Sequence, residues 1–246
     1  MFKNNNVLLL GDSHTYGDGL DDVGHTEPWK EHSIKTWAYH IFDKEQIENK
    51  SYPGCCNDII SLKLIRHTSE IDLVLIMFTY PERLHIIRNG YNFIASHNFN
   101  QSISDNGDEN WIAKQLATKF ENQNKNLIIE NFDDNFLEIL FLKNILLCQC
   151  FCQSNNIDYY FTMVDFREKT KCIGSLQKYR DGLYNSINWN RIFLVDGKYG
   201  FLNYATYIKA DRGLDNQHWG QAYHKIFGKL FLNFIEEDRK KQKNQL

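Results

Sequence analysis

The apolar positions fall into short continuous runs that alternate with segments of helical spacing. Val7–Leu10 is one such run, and residues 71–78 read I-D-L-V-L-I-M-F. Runs of this length suit strands buried on both faces, and Pro81 prevents the second run from continuing directly. These two segments are the strongest strand predictions in the chain.

The rest of the pattern predicts three further strands and four helices. The further strands are a short one before Pro53, then 158–164 and 191–195, and the helices cover 33–42, 57–65, 136–152 and 217–237. Because parallel strands need crossover connections that pack back onto the sheet, this alternation predicts an α/β fold. We expect an open, mainly parallel sheet of about five strands with helices on both faces.

The 246 residues are predicted to form a single domain, 1–246. Residues 84–131 are polar and aromatic, and we interpret them as an insertion with a helix at 109–120. Residues 238–246 are predicted to fray. Four aromatic residues of the insertion either line or cover a cleft or pack onto the body of the domain: Tyr91, Phe93, Phe99 and Trp111.

Composition and charge exclude several functional classes. Hydrophobic residues make up 42% and charged residues 24%, which is typical of a soluble globular protein. The net charge of -3 provides no global basic field, so neither nucleic acid nor a membrane is expected as a partner. We find no apolar run near 18 residues and no signal peptide, and we therefore expect a cytoplasmic location.

The six cysteines resemble neither a disulfide framework nor paired zinc knuckles. They are Cys55, Cys56, Cys148, Cys150, Cys152 and Cys172. The three at 148–152 lie in a predicted helix, where alternate spacing splays them apart and favours burial over metal binding. Nothing marks the thiols of the first two as activated, so a cysteine nucleophile is disfavoured.

Ser13 follows the first predicted strand, at the sheet edge where such folds bind ligands. It is either a nucleophile or a serine that caps a turn or helix. A nucleophilic serine needs a base, and the base needs a partner that orients it. Asp215 and His218, at the start of the last predicted helix, offer that pair, although an N-capping aspartate with a first-turn histidine is the alternative.

Three blocks together resemble the SGNH hydrolases, also called GDSL-type esterases and lipases. They are Gly-Asp-Ser at 11–13, N-K-S-Y-P-G-C-C-N at 49–57 and Asp-Asn-Gln-His at 215–218, in the order of that family. The resemblance spans nearly the whole chain. It implies a three-layer α/β/α sandwich of flavodoxin-like type, with no metal and no organic cofactor.

The same resemblance implies a role for individual residues. Ser13 would be the nucleophile, His218 the general base and Asp215 its partner, while the backbone amides of Ser13 and Gly54 would donate to the oxyanion. The chain would then be a serine esterase or O-deacetylase that cleaves a small acyl ester, carried by a small molecule or a carbohydrate, through an acyl-enzyme. A catalytically impaired ligand-binding protein and an acyltransferase are the alternatives. The oligomeric state is not predicted.

One block departs from the family pattern. The family has Gly-x-Asn-Asp after its third strand, with the asparagine as an oxyanion donor, whereas residues 78–83 read F-T-Y-P-E-R. Losing one such donor typically costs about a hundred- to a thousandfold in rate. The hydroxyl of Thr79 or Tyr80, or the amide of Asn57, are the alternatives for its replacement.

Two further residues near these blocks are candidates for substrate binding. His14 adjoins the proposed nucleophile and is either structural or part of the pocket wall. Arg83 lies just beyond the third strand, where it either binds an anionic or carbohydrate substrate or forms a surface ion pair.

Overall fold

The computed structural model describes residues 6–23, 32–81, 83–88, 91–95, 103–104, 134–166 and 175–244. Five strands form one parallel sheet in the order β2-β1-β3-β7-β8. These strands are β1 (Val7–Leu10), β2 (Ile47–Asn49), β3 (Leu73–Phe78), β7 (Asp158–Met163) and β8 (Ile192–Phe193). The predicted five-stranded parallel sheet is therefore confirmed.

Alternate residues of the central strands pack on opposite faces of the sheet. Leu8 and Ile76 belong to one buried cluster, and Leu9 and Leu75 belong to the other. Each such side chain contributes about 1.5–3 kcal/mol when it is fully removed from water. Burial on both sides explains why these strands read as unbroken apolar runs, since neither face needs polar residues.

Helices cover both faces and complete three layers. The first cluster packs under α2 (Asn57–Ile65), α3 (Asp134–Ser154) and α4 (Ser175–Ser186), and the second under α5 (Phe201–Tyr207) and α6 (Gln221–Lys243). A one-turn helix, α1 (Ser13–Tyr16), directly follows β1. The predicted α/β/α sandwich is confirmed, although neither α4 nor α5 is predicted by the sequence pattern.

Two predicted elements differ because long-range contacts decide them. The helix expected at 33–42 is only a 3-10 turn, Trp37–His40, whose first amide donates to Nδ1 of the distant His224 at 3.2 Å. The tail expected to fray continues α6 to Lys243. There Asp238 accepts a hydrogen bond from the Tyr160 hydroxyl at 2.9 Å, which docks the helix on the sheet.

The insertion contains more regular structure than the sequence indicates. Strands β4 (Leu84–Arg88), β5 (Tyr91–Ala95) and β6 (Ile103–Ser104) form a separate antiparallel sheet, which the sequence pattern does not predict. The helix predicted at 109–120 lies outside the described residues, as do Phe99, Trp111 and Cys172. The side chains of Tyr91 and Phe93 are not described either, so the role of these aromatics in a cleft stays a prediction.

Helix α3 is long and apolar enough to cross a membrane by length and composition. Its segment Phe136–Ser154 has a mean hydropathy of 1.4, and half of it is buried inside the protein. The expectation that no segment is long and apolar enough to cross a membrane is therefore wrong. In this structure the helix packs between α2 and α4 as a core element, with Ile145 and Cys148 fully buried.

Candidate active site

The serine turn is built by the residue before the serine. Asp12 caps α1, and its Oδ1 accepts a hydrogen bond from the amide of His14 at 3.0 Å. Ser13 is the first residue of that helix and is only 6% exposed. In the sheet, β2 lies on one side of β1, and β3 with the later strands lies on the other. The turn after β1 therefore occupies the point where strand order reverses. Open α/β sheets bind ligands at such points.

Asp215 and His218 form a close pair in the loop before α6. Nδ1 of His218 lies 2.6 Å from Oδ2 of Asp215, and Oδ1 of Asp215 accepts hydrogen bonds from the amides of Gln217 and His218 at 2.9 and 3.0 Å. Burial alone raises the pKa of Asp215, but these three hydrogen bonds lower it below its ordinary value. A carboxylate at Nδ1 leaves Nε2 as the ring nitrogen available to act as a base.

This pair does not belong to the first turn of the last helix, as the sequence pattern suggests. Asn216 has a φ of 56°, which is incompatible with a right-handed helix, and α6 begins only at Gln221. The aspartate therefore holds a loop rather than a helix end. Because it binds both the backbone and the ring of His218, it fixes the position of the imidazole.

The two ends of the chain meet through Gly19 and the loop of Asp215. The carbonyl of Gly19 accepts a hydrogen bond from the amide of Leu214 at 2.7 Å. The ring of His218 lies 5.1 Å from the ring of His14, edge to face. Among the described residues no hydrogen bond joins the Ser13 hydroxyl to His218. Hydrogen bonds between catalytic groups are often long in a protein without substrate. The structure brings the three residues into one region, and their catalytic roles stay predictions.

Gly19 is required by both its conformation and its neighbour. Its φ is 80°, and a Cβ added there would lie 2.6 Å from Oδ1 of Asp215. We expect Gly19→Ala to lower kcat by about a hundredfold, because displacing a positioned group by about 1 Å has that cost. Gly197→Ala is the matched control, since Gly197 has a φ of 70° with nothing within 4 Å. Equal loss of activity in both variants, measured by ester turnover, would contradict this prediction.

His14 packs against the proposed base and is buried. Its ring lies between those of Phe201 and His218, at 5.2 and 5.1 Å. Burial lowers the pKa of His14 to about 4, against the opposing effect of Asp12, so the ring is neutral at neutral pH. These contacts favour a role in holding the imidazole of His218 over the predicted alternative of substrate binding.

The candidates for the missing oxyanion donor are largely engaged elsewhere. Oδ1 of Asn57 accepts from the amide of Thr79 at 2.9 Å, and its Nδ2 donates to the carbonyls of Thr79 and Tyr80 at 3.2 and 3.3 Å. The Thr79 hydroxyl donates to Oδ2 of Asp12 at 2.8 Å. Asn57 therefore ties the segment after β3 to the start of α2, and the Thr79 hydroxyl ties it to the serine turn. Gly54 lies nearby in a turn, with a φ of 71°.

Arg83 binds inward instead of forming the predicted surface pair. Its Nη1 donates to Oδ2 of Asp12 at 3.2 Å and to the carbonyl of Cys55 at 3.3 Å, and its guanidinium lies 5.1 Å from the centre of the Tyr80 ring. The side chain is 19% exposed. It thereby connects the cap of the serine turn with the residue that follows Gly54.

This arrangement predicts a positioning effect for Arg83. We expect Arg83→Met to lower kcat about ten- to a hundredfold with little change in KM. The serine turn and the turn of Gly54, which are predicted to supply the oxyanion donors, would lose a shared anchor. Arg66→Met removes the same charge from an exposed position at the end of α2 and should leave both constants unchanged. Steady-state kinetics distinguish this from substrate binding, in which KM rises instead.

Metal and cysteine chemistry find no support among the described residues. In the described ranges no group of three His, Cys, Asp or Glu side chains could hold a metal ion. Cys148 and Cys152 are buried in the core, whereas Cys150 is exposed. Burial raises the pKa of Cys56 to about 12, which keeps this thiol protonated and unreactive.

Sequence reasoning missed Asp18, which is half-buried beside these groups. Its amide donates to the carbonyl of Ser13 at 3.0 Å. The available signal was its place between two glycines, five residues after the serine. Glycines on both sides of a residue allow the chain to fold back towards the serine turn.

No family model and no curated protein matches the chain. It is similar to the solved structures of the lipase Lip_vut3 from a goat rumen metagenome (TM-score 0.45, 13% identity, 94% of this chain and 97% of that chain). It is also similar to the acetylxylan esterase Axe2 from Geobacillus stearothermophilus (0.41, 13%, 94% and 94%). A carbohydrate esterase of family 2 from Corynascus thermopiles is a third (0.43, 14%, 96% and 67%).

Proposed function

We propose that this protein is a serine ester hydrolase whose nucleophile is Ser13. The observation that carries the proposal is the 2.6 Å pair of Asp215 and His218, whose imidazole lies against the residue next to Ser13. The pair leaves Nε2 of the imidazole to accept a proton. A serine, a base and an orienting carboxylate are the groups that acyl transfer needs.

The proposed reaction has two halves. The Ser13 hydroxyl gives its proton to Nε2 of His218 while its oxygen bonds to the acyl carbon, and the carbonyl electron pair moves to oxygen. The amides of Ser13 and Gly54 hold that oxyanion. The ester C–O bond then breaks, and His218 returns the proton to the departing alcohol. Water repeats the sequence on the serine ester and releases the acid.

A small acyl ester is the proposed substrate, with an O-acetyl group on a carbohydrate as the leading case. The sequence resemblance to SGNH hydrolases supports this class. p-Nitrophenyl esters of increasing acyl length, followed by acetylated sugars, would define it. Acetate release from a sugar ester at a higher kcat/KM than from long-chain esters is the expected result.

Covalent labelling tests the proposal. A fluorophosphonate probe reacts only with an activated serine, so peptide mapping should find a single adduct on Ser13. Prior reaction with p-nitrophenyl acetate should slow that labelling. Failure of the folded protein to label would refute the proposal.

A ligand-binding protein without activity is the second candidate. One observation favours it: the polar groups of Thr79 and Asn57 form hydrogen bonds within the fold and are not available to an oxyanion. Such a protein would bind a carbohydrate ester without turnover and would not react with the probe. Calorimetry with an acetylated sugar, beside the labelling experiment, separates the two functions.

A further inference from the structure

Asp18 occupies the space between the serine turn and the loop of the proposed base. Its amide donates to the carbonyl of Ser13. The carbonyl of the next residue, Gly19, accepts from the amide of Leu214, and Asp215 lies so close to Gly19 that no Cβ would fit. The chain is thus fixed on both sides of Asp18 to the two segments that carry the nucleophile and the base. Its position in the site follows from the backbone and does not depend on a flexible side chain.

Asp18 is half-buried, and among the described residues its carboxyl group accepts no hydrogen bond. A carboxylate that is partly removed from water without a partner is destabilised. Burial raises the pKa of Asp18 from 3.8 to about 6, while His218 opposes the shift and Asp12 and Asp215 add to it. These three are the charged groups of the described chain that act on it, two from the loop before α6 and one from the serine turn.

We infer that Asp18 is a positioning residue that stabilises the positive charge His218 acquires when it takes the proton of Ser13. This inference rests on the proposed function. Asp215 holds Nδ1 of the ring by a direct hydrogen bond, whereas Asp18 acts through its charge. A second anion near the imidazolium lowers the energy of the transition state, in which the ring is charged, relative to the ground state, in which it is neutral.

The isosteric variant Asp18→Asn removes the charge and keeps the size. We expect kcat to fall about tenfold, with KM unchanged, since an interaction equivalent to one pKa unit corresponds to a tenfold effect. The acid limb of the kcat/KM profile should move to lower pH, because the variant lacks the anion that stabilises the protonated ring. Asp21→Asn is the control: Asp21 is exposed and pairs with Lys35.

Stability supplies a readout that does not depend on activity. In the folded protein Asp18 holds its proton more tightly than in the unfolded chain, so its contribution to stability is present below pH 3.8 and is lost as the pH rises through about 6. Asparagine cannot ionise. Asp18→Asn should therefore melt at a higher temperature than the parent protein at pH 7, and the difference should vanish near pH 4.

The outcomes separate this inference from the proposed function. If the parent protein neither labels nor turns over esters, the proposed function fails, while the melting experiment still tests the burial of the charge. If the parent protein is active and Asp18→Asn keeps its kcat and its pH profile, the inference about Asp18 alone is overturned. A rise in KM with kcat unchanged also overturns it, since Asp18 would then contact substrate. A lower melting temperature for Asp18→Asn than for the parent protein at pH 7 would contradict the inference that the carboxylate is buried without a hydrogen-bond partner.

Discussion

Ser13→Ala is expected to abolish ester hydrolysis, lowering kcat by about 10⁴- to 10⁶-fold, as removal of the nucleophile does in serine hydrolases. Without the hydroxyl no acyl-enzyme forms, and only the remaining amides and bound substrate accelerate attack by water. The fold should persist, because the Ser13 hydroxyl makes no hydrogen bond with the described residues and alanine suits a helix. Turnover of p-nitrophenyl acetate and the melting temperature measure the two effects.

Ser186→Ala is the matched control for this variant. Ser186 ends α4 on the surface, and its hydroxyl donates only to a backbone carbonyl of the same helix. It should keep full activity and full labelling by the fluorophosphonate. Turnover by Ser13→Ala at the rate of the parent protein would exclude Ser13 as nucleophile and would turn attention to another site.

Asp215→Asn is expected to lower kcat by about 10⁴-fold, the effect known for the equivalent change in serine proteases. The asparagine oxygen can still accept the amide hydrogen bonds from Gln217 and His218, so the loop should keep its shape. Its NH₂ group, however, faces Nδ1 and favours the tautomer with the proton on Nε2. That nitrogen can then no longer accept the proton of the serine.

Asp211→Asn is the control, because Asp211 also binds backbone amides. Its carboxylate accepts from the amides of Ala222 and Tyr223 at 3.1 and 2.8 Å, in the first turn of α6. If loss of a carboxylate cap were enough to inactivate the protein, both variants would lose activity. We expect only Asp215→Asn to do so, with circular dichroism showing that both stay folded.

The lowered pKa of Asp215 also predicts how stability varies with acid. A depressed pKa contributes stability that is present above the ordinary value of 3.8 and is lost as the pH falls below it. Asp215→Asn lacks this contribution. The difference in melting temperature between the two proteins should therefore shrink as the pH falls from 6 towards 3.

Local pattern was sufficient to predict the layers of the fold. The buried strands β3 and β7 follow the apolar runs closely, because both faces of a parallel sheet exclude water along their whole length. Helix α3 follows the predicted helix to within two residues at each end. In these segments the hydrophobic periodicity and the tertiary packing require the same residues.

Local pattern failed where one distant contact outweighed it. The apolar spacing of 33–42 indicates a helix, but the amide of Trp37 binds His224 and the ring packs between Phe227 and Phe231, which stabilises a single 3-10 turn. The charged tail reads as solvated, yet Arg239 pairs with Asp158 at 2.8 Å. Partners 81 to 187 residues away leave no trace in the local sequence.

The sequence by itself determined the sheet, the helical layers and the serine, histidine and aspartate worth testing, because burial and motif chemistry depend on residue type. Only the tertiary structure decided that Arg83 turns inward, that Thr79 and Asn57 hydrogen-bond within the fold, and that Asp18 lies between the serine turn and the loop of His218. The directions of polar side chains depend on which distant groups compete for each hydrogen bond, and that competition exists only once the chain has folded.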